Sequence, residues 1–439
     1  MILILGAGES GIGAALLARS RACSVFVSDA GPIRESYRQE LIDNDIDFEE
    51  GQHQIALDLQ PELVVKSPGI PDSAEIIGHF KNRDIAVISE IEFAFRYCSG
   101  TVIGITGSNG KTTTTNLVWH LLHQGGLDAV KAGNVGFSFA RAVAQKEWDW
   151  YVLELSSFQL DGIQDFRPHI AILLNITPDH LDRYAYQFDR YVASKFRITA
   201  NQTAEDYLII YGKDPAIQNY LMQHPVQAEV LDLRPEWQPD GKVLLDGNIF
   251  ADLGSTTLKG AHNAINACCA ITAAELAGAP AERIQSAMND FVNDPHRLES
   301  VGSVRGVEFI NDSKATNVDS VYWALGAIPQ KLVWIAGGQD KGNDYTVLHP
   351  LVREKVKALV ALGKDNRKLI SAFEGLIPEI RDTHSVEDAV LEAYQIAEPG
   401  DVVLLSPACA SFDLFRNYED RGEQFKNEVH LLSLKSAMT

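Results

Sequence analysis

Lys111 stands between Gly110 and Thr112 in GITGSNGKTTTTN, Gly104 to Asn116, and that order of residues could hold a nucleoside triphosphate. Gly107 and Gly110 let the backbone curl around phosphate oxygens. The Lys111 ammonium supplies a point charge for β and γ oxygens, and the Thr112 hydroxyl can hold Mg²⁺. The stretch Gly107, Ser108, Asn109, Gly110, Lys111, Thr112 and Thr113 is therefore the expected loop for the phosphates of ATP or GTP. It fails the strict G-x-x-x-x-G-K-[ST] pattern, because Ile105 occupies the first glycine position. A strand-like run before it and a helical stretch with Leu117, Leu121 and Leu122 on one face after it argue against an ordinary glycine-rich turn.

Further residues could complete a metal site. WDWYVLE ends an apolar run on Glu154, where a phosphate-loop protein needs a carboxylate, although one acid at a strand tip can also be a solvated charge. LLNITPDHLDRY delivers Asp179, His180, Asp182 and Arg183 into a loop. A lone histidine is more often a hydrogen-bonded structural residue. Beside a triphosphate with two Mg²⁺ ions, however, more oxygen and nitrogen ligands are needed than one acid supplies. Lys195, in RYVASKFRI, reads by itself as a surface lysine on a helix.

A second glycine loop opens the chain. Gly6, Gly8 and Gly11 have G-x-G-x-x-G spacing after ILIL, and Asp29 ends the next strand about twenty residues on. Taken alone this favours NAD, then a UDP-type ligand, then a tight turn. Its physical content is that small residues let a diphosphate approach the amides of a helix N-terminus. Glu9 is awkward there, since a carboxylate beside phosphate repels it unless it points away.

These loops need strands to carry them. Short apolar runs (ILIL, VFVSD, LVVKS, AVIS, TVIGITG, WYVLELSS, IAILLNIT, YLIIYG, VEFIND, LVWIAGG, VKALVALG, VVLLSP) alternate with helical stretches, which predicts α/β architecture with mainly parallel sheets. The 439 residues exceed one core, and three domains are expected, 1–95, 96–294 and 295–439. LDLRPEWQPDGKVLLDGNIF, Leu231 to Phe250, reads as small strands and turns. With 59 acidic against 38 basic residues the net charge is -21, which repels nucleic acid and anionic membranes and demands a local basic pocket for any anionic substrate. Cys23, Cys98, Cys268, Cys269 and Cys409 lack paired metal spacing and fit a reducing cytosol. No apolar run nears the ~20 residues of a membrane span, and no signal segment opens the chain.

In order along nearly the whole chain, TGSNGKT, ELSSFQL, DHLDRY, KGAHNAIN, PHRLE, NDSKATN and SPACASFDLFRNYEDRG resemble the cytoplasmic Mur ligases of peptidoglycan synthesis, whose form of the phosphate loop this is. DHLDRY and the SPACASFD to RG stretch are most similar to the branch that joins D-glutamate to UDP-N-acetylmuramoyl-L-alanine. No D-N-P-R motif of the diaminopimelate- or lysine-adding branch occurs.

The resemblance implies a Rossmann-like UDP-sugar domain, a P-loop ATPase-like central domain and a Rossmann-like amino-acid-binding domain. It implies uridine-diphosphate contacts at Glu9, Ser10, Gly11, Asp29, Ala30 and Ser67, and a muramoyl contact at Asn134. Lys111, Glu154, His180 and Lys195 become the catalytic set, with Thr112, Glu154, His180 and a carbamylated Lys195 around Mg²⁺. Asn263, Asn266, Arg297 and Asp312 join the ATP contacts, the two asparagines one helical turn apart. Lys314, Thr316, Lys341, Ser411, Phe412 and Tyr418 form the acceptor site, with Tyr418 where some relatives have phenylalanine. The implied chemistry is ATP-dependent amide formation through an acyl phosphate, by a cytoplasmic monomer without nucleic-acid or membrane partners. Cys409 invites a thiol-nucleophile reading, but such chemistry needs none, and a packed small residue is expected; Cys268 and Cys269 are expected in a helix core. The rivals are another amide ligase of the superfamily, such as the muramate:alanine or folylpolyglutamate type, a P-loop switch, and an NAD dehydrogenase.

Overall fold

The computed structural model describes residues 1–134, 136–179 and 181–437. The apolar runs form strands because, fully covered, they satisfy their backbone in parallel ladders and bury both faces. The first sheet has the order Asp47–Glu50, Val25–Asp29, Ile2–Leu5, Leu63–Lys66, Ala86–Ser89, all parallel. Strand order reverses at Ile2–Leu5, so the loops after that strand and after Leu63–Lys66 flank a crevice at the carboxyl edge, where α/β sheets bind ligands.

The second sheet runs Glu229–Leu233, Tyr207–Tyr211, Ile170–Leu173, Thr101–Thr106, Trp150–Glu154, Ala129–Gly133, again parallel throughout. Thr101–Thr106 is central, with Ile105 opposite Glu154 on one side and Thr106 opposite Leu173 on the other. The phosphate loop, the segment after Glu154 and the segment after Leu173 consequently leave one edge side by side. The expected small strands are an antiparallel trio, Glu236–Trp237, Lys242–Leu245 and Asn248–Asp252. Its second hairpin turns at Asp246-Gly247, both at positive φ, as the right-handed strand twist favours.

The last large sheet is ordered Glu299–Val304, Val307–Asn311, Val402–Ala408, Leu332–Gly337, Val356–Leu362, Glu379–Thr383, parallel except for the opening hairpin. The chain forms two compact units, Met1–Thr256 with Ala264–Phe291, and Thr257–Asn263 with Val292–Thr439. Among the described residues no helix is long and apolar enough to cross a membrane. Cys268 and Cys269 are buried in the helix Ala261–Leu276, as expected.

Within the first unit one apolar cluster runs from Ile4 and Leu17 to Phe166 and Leu208, so the first two sheets share a core. Two buried carboxylates fasten the helix Glu90–Phe95 to the central part. Glu92 Oε2 accepts from the amides of Gln164, Asp165 and Phe166 at 2.8, 2.9 and 2.9 Å, and Glu90 Oε1 accepts from Ala140 N. Glu90 Oε2 has no hydrogen-bond partner among the described residues. Burial pushes the Glu90 carboxyl up from 4.5 to about 8.

The folded state therefore holds a proton that the unfolded chain loses above about 4.5, and the associated stability disappears as pH rises through about 8. Glu90→Gln is expected to flatten the loss of thermal stability between about pH 5 and pH 8, a difference on the order of a few kcal/mol. Melting curves of both proteins across that range would reveal it; parallel curves would refute it.

Candidate active site

The phosphate loop is held by its own hydrogen bonds. Ser108 N donates to Asn175 O at 2.9 Å, Asn109 N to Asn175 Oδ1 at 2.9 Å, and Asn175 Nδ2 to Asn109 O at 3.0 Å. Ser108 Oγ donates to Thr177 O at 2.9 Å and accepts from Thr177 N at 2.9 Å. Gly110 sits at φ +85° as N-cap of the helix Lys111–Gly125, and a Cβ there would lie 2.4 Å from Asn266 Oδ1, so only glycine fits. The helix amides thus open at the loop, a natural place for phosphate. Asn175 was not among the expected site residues, although it lies inside the LLNIT run.

Lys111 and Lys195 converge on this loop. Lys111 Nζ donates to Gly107 O and Ser108 O, each at 2.8 Å, and Lys195 Nζ donates to Gly107 O at 2.7 Å. Lys195 is 1% exposed on the helix Phe188–Phe196, with its ammonium over the Tyr191 ring, so the surface-lysine reading is wrong. The amphipathic face carrying Tyr191, Val192 and Phe196 turns it inward. Burial first, and Lys111 second, hold its amine well below the usual lysine range, opposed by Asp179, Glu154 and Asp161.

Glu154 is 2% exposed; its Oε1 accepts from Asn134 Nδ2 at 2.9 Å and its Oε2 has no hydrogen-bond partner among the described residues. An orphaned carboxylate oxygen and an amine driven toward its neutral form suit a cation and a carbamate. Among the described residues no group of three or more His, Cys, Asp and Glu side chains could hold a metal by itself. His180 lies outside the described residues. Arg183 of the same loop donates to Pro68 O at 2.9 Å and stacks on Phe158, tying this loop to the first sheet.

In the first sheet, Gly11 lies so close to the loop that a Cβ would be 1.8 Å from Gly6 O. Asp29 braces that loop, accepting from Ala7 N at 2.6 Å and Gly31 N at 2.8 Å. The Glu9 side chain is turned to Arg141 and Ser138. Its carboxylate accepts from Arg141 Nε at 2.7 Å, Arg141 Nη2 at 3.1 Å and Ser138 N at 3.0 Å. Arg141 also pairs with Glu40 and is almost buried. The Glu9 carboxylate is thus taken up by Arg141, a residue unmarked by any motif. Ser10 and Gly11 follow it in the first turn of the helix Glu9–Ser20, and Ser67 Oγ faces Gly6 O at 3.4 Å. Asp29 and Ala30 line a cavity of about 690 Å³ with Gly6, Gly69, His53 and His79.

The second unit gathers the remaining expected residues on loops at the carboxyl edge of its sheet. Asp312 Oδ2 accepts from Ser406 Oγ at 2.8 Å and Oδ1 from Leu298 N at 3.2 Å, and burial pushes its carboxyl up to about 7. His296 and Leu298, both at positive φ, flank Arg297 and fix a tight hook. Lys314 lies over the Tyr418 ring at 3.7 Å, and Ser313 Oγ donates to Tyr418 O at 2.8 Å. Gln339 N donates to Ala410 O, Asn343 Nδ2 to Ala408 O and Ala408 N to Ala315 O, which laces the segments of Lys341, Ser411 and Thr316 together. Arg421, buried and unanticipated, donates to Ser313 O and Cys409 O. Ser411 is buried, Thr316 half-buried, and Lys341 and Phe412 exposed. Cys409 is a buried thiol 3.2 Å from Tyr345 Oη, pushed up to about 11 by burial, which suits packing and not nucleophilic attack.

On the helix Ala261–Leu276, Asn263 Nδ2 turns back to Lys259 O, whereas Asn266 meets Gly110.

A parallel sheet with a braced phosphate loop at its centre, a buried lysine and a half-satisfied acid beside it, defines a P-loop nucleotide-binding protein. Residues 1–76 match the MurD N-terminal domain, 105–274 the Mur ligase middle domain, and 296–409 the Mur ligase glutamate ligase domain. The chain belongs to the Mur ligase family. It is 49% identical to the UDP-N-acetylmuramoylalanine--D-glutamate ligase of Christiangramia forsetii, over 98% of this chain and 99% of the relative. It is equally 49% identical to that of Porphyromonas gingivalis, over 98% of each. Its fold is similar to the UDP-N-acetylmuramate-alanine ligase MurC of Thermotoga maritima, with a TM-score of 0.62, 18% identity and coverage of 98% and 99% of the two chains. It is also similar to the MurF ligase of Thermotoga maritima in complex with ADP, with a TM-score of 0.63, 16% identity and coverage of 95% and 99%.

Proposed function

We propose that this protein is an ATP-dependent ligase that adds D-glutamate to UDP-N-acetylmuramoyl-L-alanine, releasing ADP and phosphate, in peptidoglycan precursor synthesis in the cytoplasm. The observation that carries the reading is 49% identity across 98% of the chain to relatives named for that reaction. The boundaries near 95 and 295 then separate a UDP-sugar domain, an ATP domain and an amino-acid domain. The protein works as a monomer on three small molecules.

The chemistry follows from the weakness of a carboxylate as an electrophile. Its charge and resonance repel an amine, so the L-alanyl carboxylate first attacks the γ-phosphorus and expels ADP, forming an acyl phosphate. Lys111, now on Gly107 O and Ser108 O, exchanges those carbonyls for phosphate oxygens; Arg297 offsets further charge. Loop amides and Thr113 cradle the phosphates, and Asn263, Asn266 and Asp312 hold the nucleoside. Thr112, Glu154, His180 and Lys195 would hold Mg²⁺, two ions in all, which when bound supply positive charge at the transferring phosphoryl group. Lys195 becomes an anionic ligand when its neutral amine adds to CO₂, forming an N–C bond and releasing a proton.

Lys314, Thr316, Lys341 and Ser411 receive the carboxylates of D-glutamate, beside Phe412 and Tyr418. Its amine attacks the acyl carbon, and the tetrahedral intermediate expels phosphate. Ser10, Gly11, Ala30 and Ser67 bind the uridine diphosphate, and Asn134 the muramoyl side.

Phosphate release measured with UDP-N-acetylmuramoyl-L-alanine and, separately, D-glutamate, L-glutamate, L-alanine and L-lysine should be stimulated by D-glutamate alone. Stimulation by another amino acid instead would assign a different amide ligase. Release that ignores every amino acid would assign a nucleotide switch. In the same assay Arg141→Met, which strands Glu9 beside the diphosphate, should raise the KM for the uridine substrate about tenfold. Combining it with Glu9→Gln should restore that KM; an unchanged KM in the single variant would remove the role given to Arg141.

A further inference from the structure

A buried hydrogen-bonded chain that the reaction above does not use ends on His53, in the wall of the cavity at the carboxyl edge of the first sheet. Glu49, buried, accepts from Ala56 N at 2.7 Å through Oε1 and from Ile55 N at 2.9 Å through Oε2. Its Oε1 also lies 2.8 Å from Ser28 Oγ, and Ser28 Oγ lies 2.6 Å from His53 Nδ1. Ser28 is fully buried and owns one proton. That proton must point at the carboxylate, because otherwise two lone-pair oxygens would face each other at 2.8 Å. The Ser28 oxygen therefore accepts from His53, and Nδ1 carries the imidazole proton. A neutral imidazole has one N–H, so Nε2 of His53 is an acceptor.

His53 lines the cavity. On the same wall His79 has the opposite polarity: its Nε2 lies 3.0 Å from Arg83 Nη1, a pure donor, which leaves the proton on Nδ1. The wall thus brings one acceptor and one donor. A uracil edge needs that pair, since its N3–H donates and the adjoining carbonyls accept. Cytosine presents a lone pair at N3 and would meet the lone pair of Nε2.

We propose that His53 reads the base of the bound nucleotide, its Nε2 accepting the uracil N3–H, and that Glu49 and Ser28 lock the tautomer that makes this possible. The inference rests on the reading of the first sheet as the uridine-nucleotide site. Two measurements on the full chain test it. Calorimetric titration should show UDP binding at least about tenfold tighter than CDP, and His53→Phe should weaken UDP about tenfold or more while leaving CDP nearly unchanged. Ser28→Ala, which frees the tautomer, should lose part of that preference. Independently, ¹⁵N spectra of the unaltered protein should place the His53 proton on Nδ1. Wild-type preference for UDP that survives His53→Phe, or a proton on Nε2, overturns the role of His53. Failure of the wild type to bind UDP at all overturns the uridine reading itself, and is recognisable as such because no variant is involved.

Discussion

Lys111→Ala is expected to lower kcat by at least about a thousandfold while leaving the fold intact. The side chain is only half-buried, and its hydrogen bonds include those to Gly107 O and Ser108 O of a loop that Asn175 and Ser108 also hold. The loop keeps its bonds through Asn175 and Ser108 when that side chain is removed. In the proposed reaction, however, it is the cation that meets the developing charge on the transferring phosphoryl group. Steady-state phosphate release reports the rate, and thermal melting reports the fold. Activity within tenfold of the unaltered protein would remove Lys111 from the mechanism; a melting point collapsed along with activity would make it structural.

The second large effect concerns Lys195. A lysine that is 1% exposed, shares Gly107 O with Lys111 and is held well below its ordinary range is poised to be neutral. Lys195→Ala should lose activity by a hundredfold or more, and added bicarbonate should not restore it. Lys195→Arg makes the sharper test. Arginine keeps the positive charge, cannot shed its proton and cannot form the carbamate, so it should fail as completely as alanine. A ¹³C signal from labelled bicarbonate should accompany the unaltered protein and vanish in both variants. Because carbamate formation needs the free amine, that signal should grow as pH rises through the lowered lysine range. Full activity of Lys195→Arg would take the carbamate out of the account.

What could be read in advance followed burial. Every apolar run named from the sequence is a strand, and most are interior strands whose faces are both covered and therefore apolar. The strands without such a signal, Asp47–Glu50, Ala129–Gly133, Glu299–Val304 and Glu379–Thr383, all lie at sheet edges. There half the residues meet solvent and charged side chains are tolerated, so DFEE and EIRDT look like loops. The phosphate loop was legible for a similar reason, since glycine spacing is imposed by backbone geometry. Glu9 and Lys195 entered as site residues only through the family resemblance, and Arg141 not at all. Whether Glu9 repels a diphosphate depends on a guanidinium 132 residues away, and whether a lysine on a short helix is solvated depends on which face packs. Asn175 and Arg421 brace loops through backbone carbonyls and amides, a task with no sequence pattern.

The central claim, that ATP is spent activating the L-alanyl carboxylate, has a direct isotopic test. UDP-N-acetylmuramoyl-L-alanine labelled with ¹⁸O in that carboxylate is incubated with ATP, D-glutamate and the protein, and the released phosphate is analysed by mass. One ¹⁸O per phosphate, with the other retained in the new amide, is the predicted result; unlabelled phosphate accompanying amide formation would contradict it.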